Sequence, residues 1–192
     1  MAIKLNIGCG TRIYRGWLNL DRLPVAGAEY GDIQALPVTD GSARCAVAFE
    51  LVEHLHPILA LPAALREVYR VLLPGGVFRV STPDLRLLAE DYLANRIAAH
   101  GPVQRQPWYD TALPSVQFSA HAFANDGDTA AGGVYRGHQA LWDWPSLRDA
   151  LREAGFREVT RQRPLESLSE EIRTETRTPW PETSLIVEGV RW

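Results

Sequence analysis

Five features of this 192-residue chain combine residue types and spacings that could do chemistry: the turn Gly8-Cys9-Gly10, Asp21, Asp32, the run Glu50-x-x-Glu53-His54, and His138. Glycines at the end of a strand present bare backbone N–H groups at the carboxyl edge of a sheet, where open α/β sheets bind ligands. A Cβ at such a position would hold the ligand away. Asp21, placed at the end of the next apolar stretch, is an acid that can accept hydrogen bonds from both hydroxyls of a ribose. Two glycines in a turn are common and define no site alone. The order of the parts carries the reading: glycine turn, then Asp21, then Asp32-Ile33 with Leu36-Pro37 behind it. The dinucleotide fingerprint G-x-G-x-x-G fits poorly, because Ile13 stands where its third glycine belongs and Asp21 comes sooner than the roughly 20-residue spacing of that motif.

Glu50, Glu53 and His54 follow a central apolar strand, and on a strand-to-helix turn residues i, i+3 and i+4 can face one point. They offer two carboxylates and an imidazole to a divalent cation, Mg²⁺ or Mn²⁺ for an oxygen-rich set and Zn²⁺ where imidazole joins. Without a metal, His54 or His138 can take the proton of an attacking hydroxyl, or the Glu-His pair can orient the loop and touch a ligand. His56, His100, His121, Tyr109 and Asp110 are weaker candidates, more simply read as surface or loop residues.

The elements that must position these residues follow from periodicity. Ile3, Leu5 and Ile7 alternate with Lys4 and Asn6, a short strand ended by the glycine turn. Short strands are expected at residues 17–20 and around 30–33, and the compact apolar run 45–49 reads as a central parallel strand buried on both faces. Leu65, Val68, Tyr69 and Leu72 form one stripe of a helix over 62–72, stopped by Pro74-Gly75-Gly76. A strand at 77–80, a helix at 85–98 capped by Asp84, a helix at 145–154 and strands at 156–160 and 184–190 complete the pattern. Strands alternating with helices imply an α/β fold with a Rossmann-like, mostly parallel sheet, helices on both faces and an antiparallel strand at one edge near the C-terminus. The pattern dissolves between 99 and 137, where Gly, Pro and aromatics such as Trp108, Phe118 and Tyr135 mix. Residues 99–144 read as a lid or substrate segment inserted into a single domain spanning 1–192.

Composition narrows the classes. A net charge of −3 gives no basic surface for a phosphate backbone, so no nucleic-acid partner is expected. No apolar run approaches the roughly 20 residues needed to span a bilayer, and the N-terminus lacks the order of a signal peptide, so a cytoplasmic protein is expected. Cys9 and Cys45 make no disulfide framework. Lys4 is the single lysine among many arginines, which with the abundant alanine points to a GC-rich bacterial source.

Taken in order, the chain resembles class I S-adenosylmethionine (SAM)-dependent methyltransferases of the short bacterial kind. The pieces are Leu5-Asn6-Ile7-Gly8-Cys9-Gly10, Gly16-Trp17-Leu18-Asn19-Leu20-Asp21, Asp32-Ile33, Leu51-Val52-Glu53-His54-Leu55, Arg66-Glu67-Val68-Tyr69-Arg70-Val71-Leu72-Leu73-Pro74-Gly75-Gly76 and Ala154-Gly155-Phe156. The resemblance covers most of the chain outside about 99–137. It implies that Gly8, Cys9 and Gly10 hold the methionine part of SAM, that Asp21 holds the ribose, that Asp32 and Ile33 lie by the adenine, and that Glu50 faces the cofactor. The run Glu50/Glu53/His54 with His138 is similar to one in ubiquinone-pathway O-methyltransferases and small-RNA 2′-O-methyltransferases, where the matching residues bind a metal. The expected reaction is methyl transfer to an oxygen or nitrogen of a small molecule. A non-methylating SAM-binding protein, or a SAM-assisted enzyme, on the same fold is the alternative. In this chain Asn6 stands where the family usually has an acid, Thr11-Arg12 replaces a common third glycine, and the stretch from Gly10 to Trp17 is too short for a full first helix.

Overall fold

The computed structural model describes residues 2–96, 114–122 and 137–192. Most of the expected lid, with His100, Tyr109 and Asp110, lies outside the described residues, as does the side chain of His121.

Among the described residues seven strands form one sheet: β1 (Ile3–Ile7), β2 (Leu18–Asp21), β3 (Glu29–Tyr30), β4 (Ala43–Phe49), β5 (Leu72–Pro83), β6 (Arg157–Arg161) and β7 (Ser184–Val190), in the order β3-β2-β1-β4-β5-β7-β6. The first five pair in parallel. β7 runs antiparallel to both β5 and β6, so the reversed strand is one place in from the edge and β6 forms the edge itself. The order changes direction between β1 and β4, which makes their carboxyl ends the switch point where such sheets bind ligands.

Side-chain alternation along β4 separates two cores. Ala46 and Ala48 point to one face with Leu5, Ile7, Phe78 and Val80, under helices α1 (Leu61–Val71) and α4 (Trp144–Glu153), which contribute Leu61, Leu65, Val68, Leu147 and Leu151. Cys45, Val47 and Phe49 point to the other face with Trp17, Val77 and Ile172 of helix α5 (Glu170–Glu175). Helix α2 (Leu85–Leu93) starts at Asp84, whose carboxylate accepts from the Arg86 N–H, and packs on α3 (Pro114–Ala122) through Leu88 and Ala122. Among the described residues no helix is long and apolar enough to cross a membrane.

Helix α3 falls in the stretch where the sequence pattern dissolves, and three further differences from the sequence reading have a local reason. The α1 helix passes directly into β5 at Leu72, so Pro74-Gly75-Gly76 lies inside the strand. Gly75 adopts φ +79, its N–H donates to the Arg191 carbonyl, and the Arg191 N–H returns to Gly76. The α2 helix ends at Leu93, not 98, because Asn95 takes a left-handed φ of 56 that terminates it. The short α5 was not expected; its signal was Ser169 before Glu170-Glu171, and the Ser169 hydroxyl accepts from the Ile172 N–H.

The connection from β1 to β2 contains no helix. Asn6 and Asn19 explain how it folds. They are paired neighbours on β1 and β2, on the face away from α1, and both are buried. The Asn6 amide donates to Asn19 Oδ1 (2.8 Å) and to the Arg12 carbonyl (2.6 Å). Asn19 accepts from the Tyr14 N–H and donates to the Tyr14 and Trp17 carbonyls. Two amides thus do for the connection what a helix's own hydrogen bonds would do. The sheet face left bare is covered by α5, with Glu175 accepting from Trp17 Nε1 (2.8 Å) and pairing with Lys4 (2.5 Å).

Candidate active site

A cleft of about 300 Å³ opens over the carboxyl ends of β1, β2 and β4. Gly8, Asp21, Asp32, Ile33, Leu51 and His54 are among the residues that line it. Gly8 has φ +63, and a Cβ built there would sit 2.7 Å from Leu51 Cδ2. The position therefore needs glycine twice over, for its backbone and for the packing of the cleft's inner wall.

Asp21 is aimed by the turn it serves. Its Oδ2 accepts from the Gly10 N–H (2.8 Å) and its Oδ1 from the Leu23 N–H (2.9 Å), so the ends of β1 and β2 are locked together by one carboxylate. Each oxygen keeps a second lone pair for a ligand hydroxyl. Asp32 bonds the Gln34 N–H through Oδ1 (2.9 Å), and the Arg22 guanidinium stands 3.7 Å from its other oxygen. Cys9 is buried and is not among the residues that line the cleft; burial together with the Asp21 charge pushes its thiol up to about 11, so it stays uncharged at neutral pH.

The fold brings Glu53, His54 and His138 together. Their ligand-type atoms all lie within 4.8 Å of one another, and the two imidazole rings meet edge-on with centroids 5.0 Å apart. Backbone geometry holds this across 85 residues of chain: the Gln139 and Ala140 N–H groups donate to the Glu53 carbonyl (2.7 and 3.2 Å), and the Gln139 side chain donates to the His54 carbonyl (2.5 Å). His56 also reaches the cleft, but its Nδ1 accepts from the Ile58 and Leu59 N–H groups, a turn-forming role.

Glu50 is placed elsewhere. Its backbone is left-handed (φ 51), and its Oε1 accepts from the hydroxyls of Ser81 (2.7 Å) and Ser184 (2.9 Å), over the ends of β5 and β7. Burial pushes its carboxyl up to about 7 against the lowering pull of the two hydroxyls and of the Arg12 guanidinium. It is outside the group formed by Glu53, His54 and His138. Two contributors escaped sequence reasoning. Leu51 seals the glycine turn and Gln139 fixes His138. The only hint was their position next to Glu50 and His138.

A sheet of this order, with a nucleoside-sized cleft at its switch point and an acid at the end of β2, defines a class I, Rossmann-like SAM-binding fold. Comparisons with known proteins agree. Residues 4–161 match the family described as "Methyltransferase domain", and the chain belongs to that family of SAM-dependent methyltransferases. A probable SAM-dependent methyltransferase of Mycolicibacterium smegmatis is 40% identical over 63 residues, 33% of this chain and 23% of that protein. The chain aligns with about a fifth of the length of the curated relatives it matches. Among solved structures, a Thermotoga maritima SAM-dependent methyltransferase described as a possible histamine N-methyltransferase is similar in fold, with a TM-score of 0.55 and 18% identity, covering 100% of this chain and 83% of that one. A geranyl diphosphate C-methyltransferase of Streptomyces coelicolor, solved with Mg²⁺, geranyl diphosphate and S-adenosylhomocysteine, has a TM-score of 0.51 and 11% identity, covering 100% of this chain and 72% of that one.

Proposed function

We propose that this protein transfers the methyl group of SAM to an oxygen or nitrogen of a small-molecule acceptor. The observation that carries this reading is the cleft: its size suits an adenosine, and Asp21, Asp32, Ile33 and His54 are among the residues that line it. SAM supplies an activated methyl on a cationic sulfur, and transfer is an in-line displacement. The protein's part is chiefly alignment of the two partners, worth up to about 7–11 kcal/mol. The Gly8 turn and Asp21 fix one partner, while His54 and His138 face the other.

A hydroxyl acceptor must also lose its proton. His54 and His138 are the proposed acceptors of that proton, a contribution of roughly 10²–10⁴ in rate. Convergence of three ligand-type atoms within 4.8 Å favours a second reading, in which Glu53, His54 and His138 hold a divalent cation. Such a cation would polarise the acceptor oxygen and lower its pKa. Glu50 takes no part in that set. The aromatic content of 99–144 supports a planar or apolar acceptor.

The test is S-adenosylhomocysteine release with a panel of small alcohols, phenols and amines, using the parent protein, His54→Ala and His138→Ala before and after treatment with a chelator. Loss of turnover in the variants with no effect of chelator supports the histidine pair as base. Loss on chelation, restored by Mn²⁺ or Zn²⁺ in the parent alone, supports the cation. Full turnover in both variants under all conditions removes both roles.

A further inference from the structure

The turn leading into α1 is closed by one residue. Pro57 has no N–H, and the next four N–H groups of the chain all end on His56. Those of Ile58 and Leu59 reach its ring Nδ1 (3.3 and 3.2 Å), and those of Ala60 and Leu61 reach its carbonyl (2.9 and 3.0 Å). A helix start leaves such groups without partners of its own, so ring and backbone of His56 are both tied down by work that must be done.

This arrangement dictates where the imidazole carries its proton. A neutral ring that accepts at Nδ1 carries its hydrogen on Nε2. An imidazolium has no lone pair left and could not accept from the Ile58 and Leu59 N–H groups. The Nε2–H group is therefore a donor of fixed direction. His56 is one of the residues lining the cleft, and among the described residues its Nε2 has no hydrogen-bond partner.

Helix α1 relates this donor to the other side chains of the cleft. The His56 turn runs straight into α1 at Leu61, and the loop carrying Asp32 and Ile33 is held to the same helix by Glu67, which accepts from the Leu36 N–H (2.8 Å). Ile33, Leu36, Leu55 and Leu61 share one core. His56 and Asp32 thus border the cleft from its α1 side, one as a donor and the other, a carboxylate, as an acceptor. Adenine offers the complement, an amine beside a ring nitrogen with a free lone pair.

We infer that His56 is a specificity-determining residue for the nucleobase, its Nε2–H donating to the ring nitrogen next to the exocyclic amine, N1 or N7. This role rests on the cofactor reading proposed above. The backbone of the turn sets it, because that backbone fixes the tautomer.

Calorimetry of the parent and His56→Ser with S-adenosylhomocysteine and with its 1-deaza and 7-deaza analogues, each replacing one ring nitrogen by C–H, provides the test. Serine at a helix start keeps an acceptor for the N–H groups but has no Nε2–H. The parent is expected to bind one of the two analogues about three- to tenfold more weakly than S-adenosylhomocysteine. His56→Ser should weaken S-adenosylhomocysteine by the same factor and bind that analogue as the parent does, since one hydrogen bond can be lost only once. Its retained affinity for the analogue shows that the fold survives. Equal weakening of all three ligands in His56→Ser, or analogues that bind the parent as tightly as S-adenosylhomocysteine, overturns the inference while leaving SAM in the cleft. Long-range ¹H–¹⁵N NMR of the parent is a second measurement, independent of any variant. A His56 ring protonated on Nε2 at neutral pH, with its Nε2 resonance moved by S-adenosylhomocysteine, is expected; a proton on Nδ1 overturns the inference. A parent that binds none of the three ligands removes the cofactor reading and this role with it.

Discussion

At the scale of single residues, Glu50 departs furthest from its sequence-based expectation. The spacing Glu50-x-x-Glu53-His54 treats the three as neighbours around one point, yet the left-handed backbone at Glu50 turns its carboxylate toward Ser81 and Ser184. No periodicity in a sequence reports the sign of φ at a glutamate. Glu53, His54 and His138, by contrast, were legible as a set and do converge. The Glu50 carboxyl also makes a stability prediction. Its pKa is raised in the folded state from 4.5 to about 7, chiefly by burial. For an acid shifted upward, the protonated form is the one the fold prefers. Stability from this group is therefore complete below about pH 4.5 and lost as the pH rises through about 7. Glu50→Gln, which keeps an acceptor for the two serines, should be more stable than the parent at pH 8 by about 1–3 kcal/mol and nearly equal to it at pH 5. Urea unfolding at the two pH values checks this; a difference independent of pH would show that the carboxyl ionises freely.

At the scale of elements, the strands and long helices were readable because their apolar spacing is dictated by which faces they bury: β4 as a compact apolar run, α1 and α4 as stripes. What stayed hidden was the exchange on the opposite face. The β1–β2 connection gives up its helix, and α5, some 150 residues later, covers the bare side of the sheet. Asn6 and Asn19 are the local trace of that exchange, intelligible only once their strands are known to be adjacent. The chain leading into α5 is tied down by a buried ion pair between Arg79 on β5 and Glu188 on β7 (2.9 Å). Arg79 also donates to the carbonyls of Arg163, Pro164 and Glu166, while Glu188 accepts from the Ser167 hydroxyl and the Leu168 N–H. Removing one charge strands the other. Arg79→Leu should cost about 3–5 kcal/mol in chemical unfolding. Adding Glu188→Gln should recover part of it, because the buried carboxylate is then gone. A double variant as unstable as the sum of the two single variants would contradict this account of the pair.

At the scale of the whole molecule, an α/β sheet with ligand residues at strand ends followed from the order of the motifs, and the sheet has that form. Gly8 of the glycine turn, Asp21 and Asp32 follow three different strands, β1, β2 and β3, and line one cleft. The reversed strand was foreseen near the C-terminus; its insertion between β5 and β6 was not, since the apolar run of β7 is the same whether it pairs on one side or two. The acceptor stays illegible in the sequence, because the stretch 99–144, proposed to face it, carries no periodicity to read. The central claim is that SAM occupies the cleft walled by Gly8 and anchored at Asp21. Calorimetric titration of S-adenosylhomocysteine into the parent and Asp21→Ala, with NAD as a control ligand, tests it most directly. Binding to the parent, a loss of about tenfold or more in Asp21→Ala with the fold retained by circular dichroism, and no binding of NAD are the predicted results. An S-adenosylhomocysteine affinity untouched by Asp21→Ala, or a preference for NAD, would contradict it.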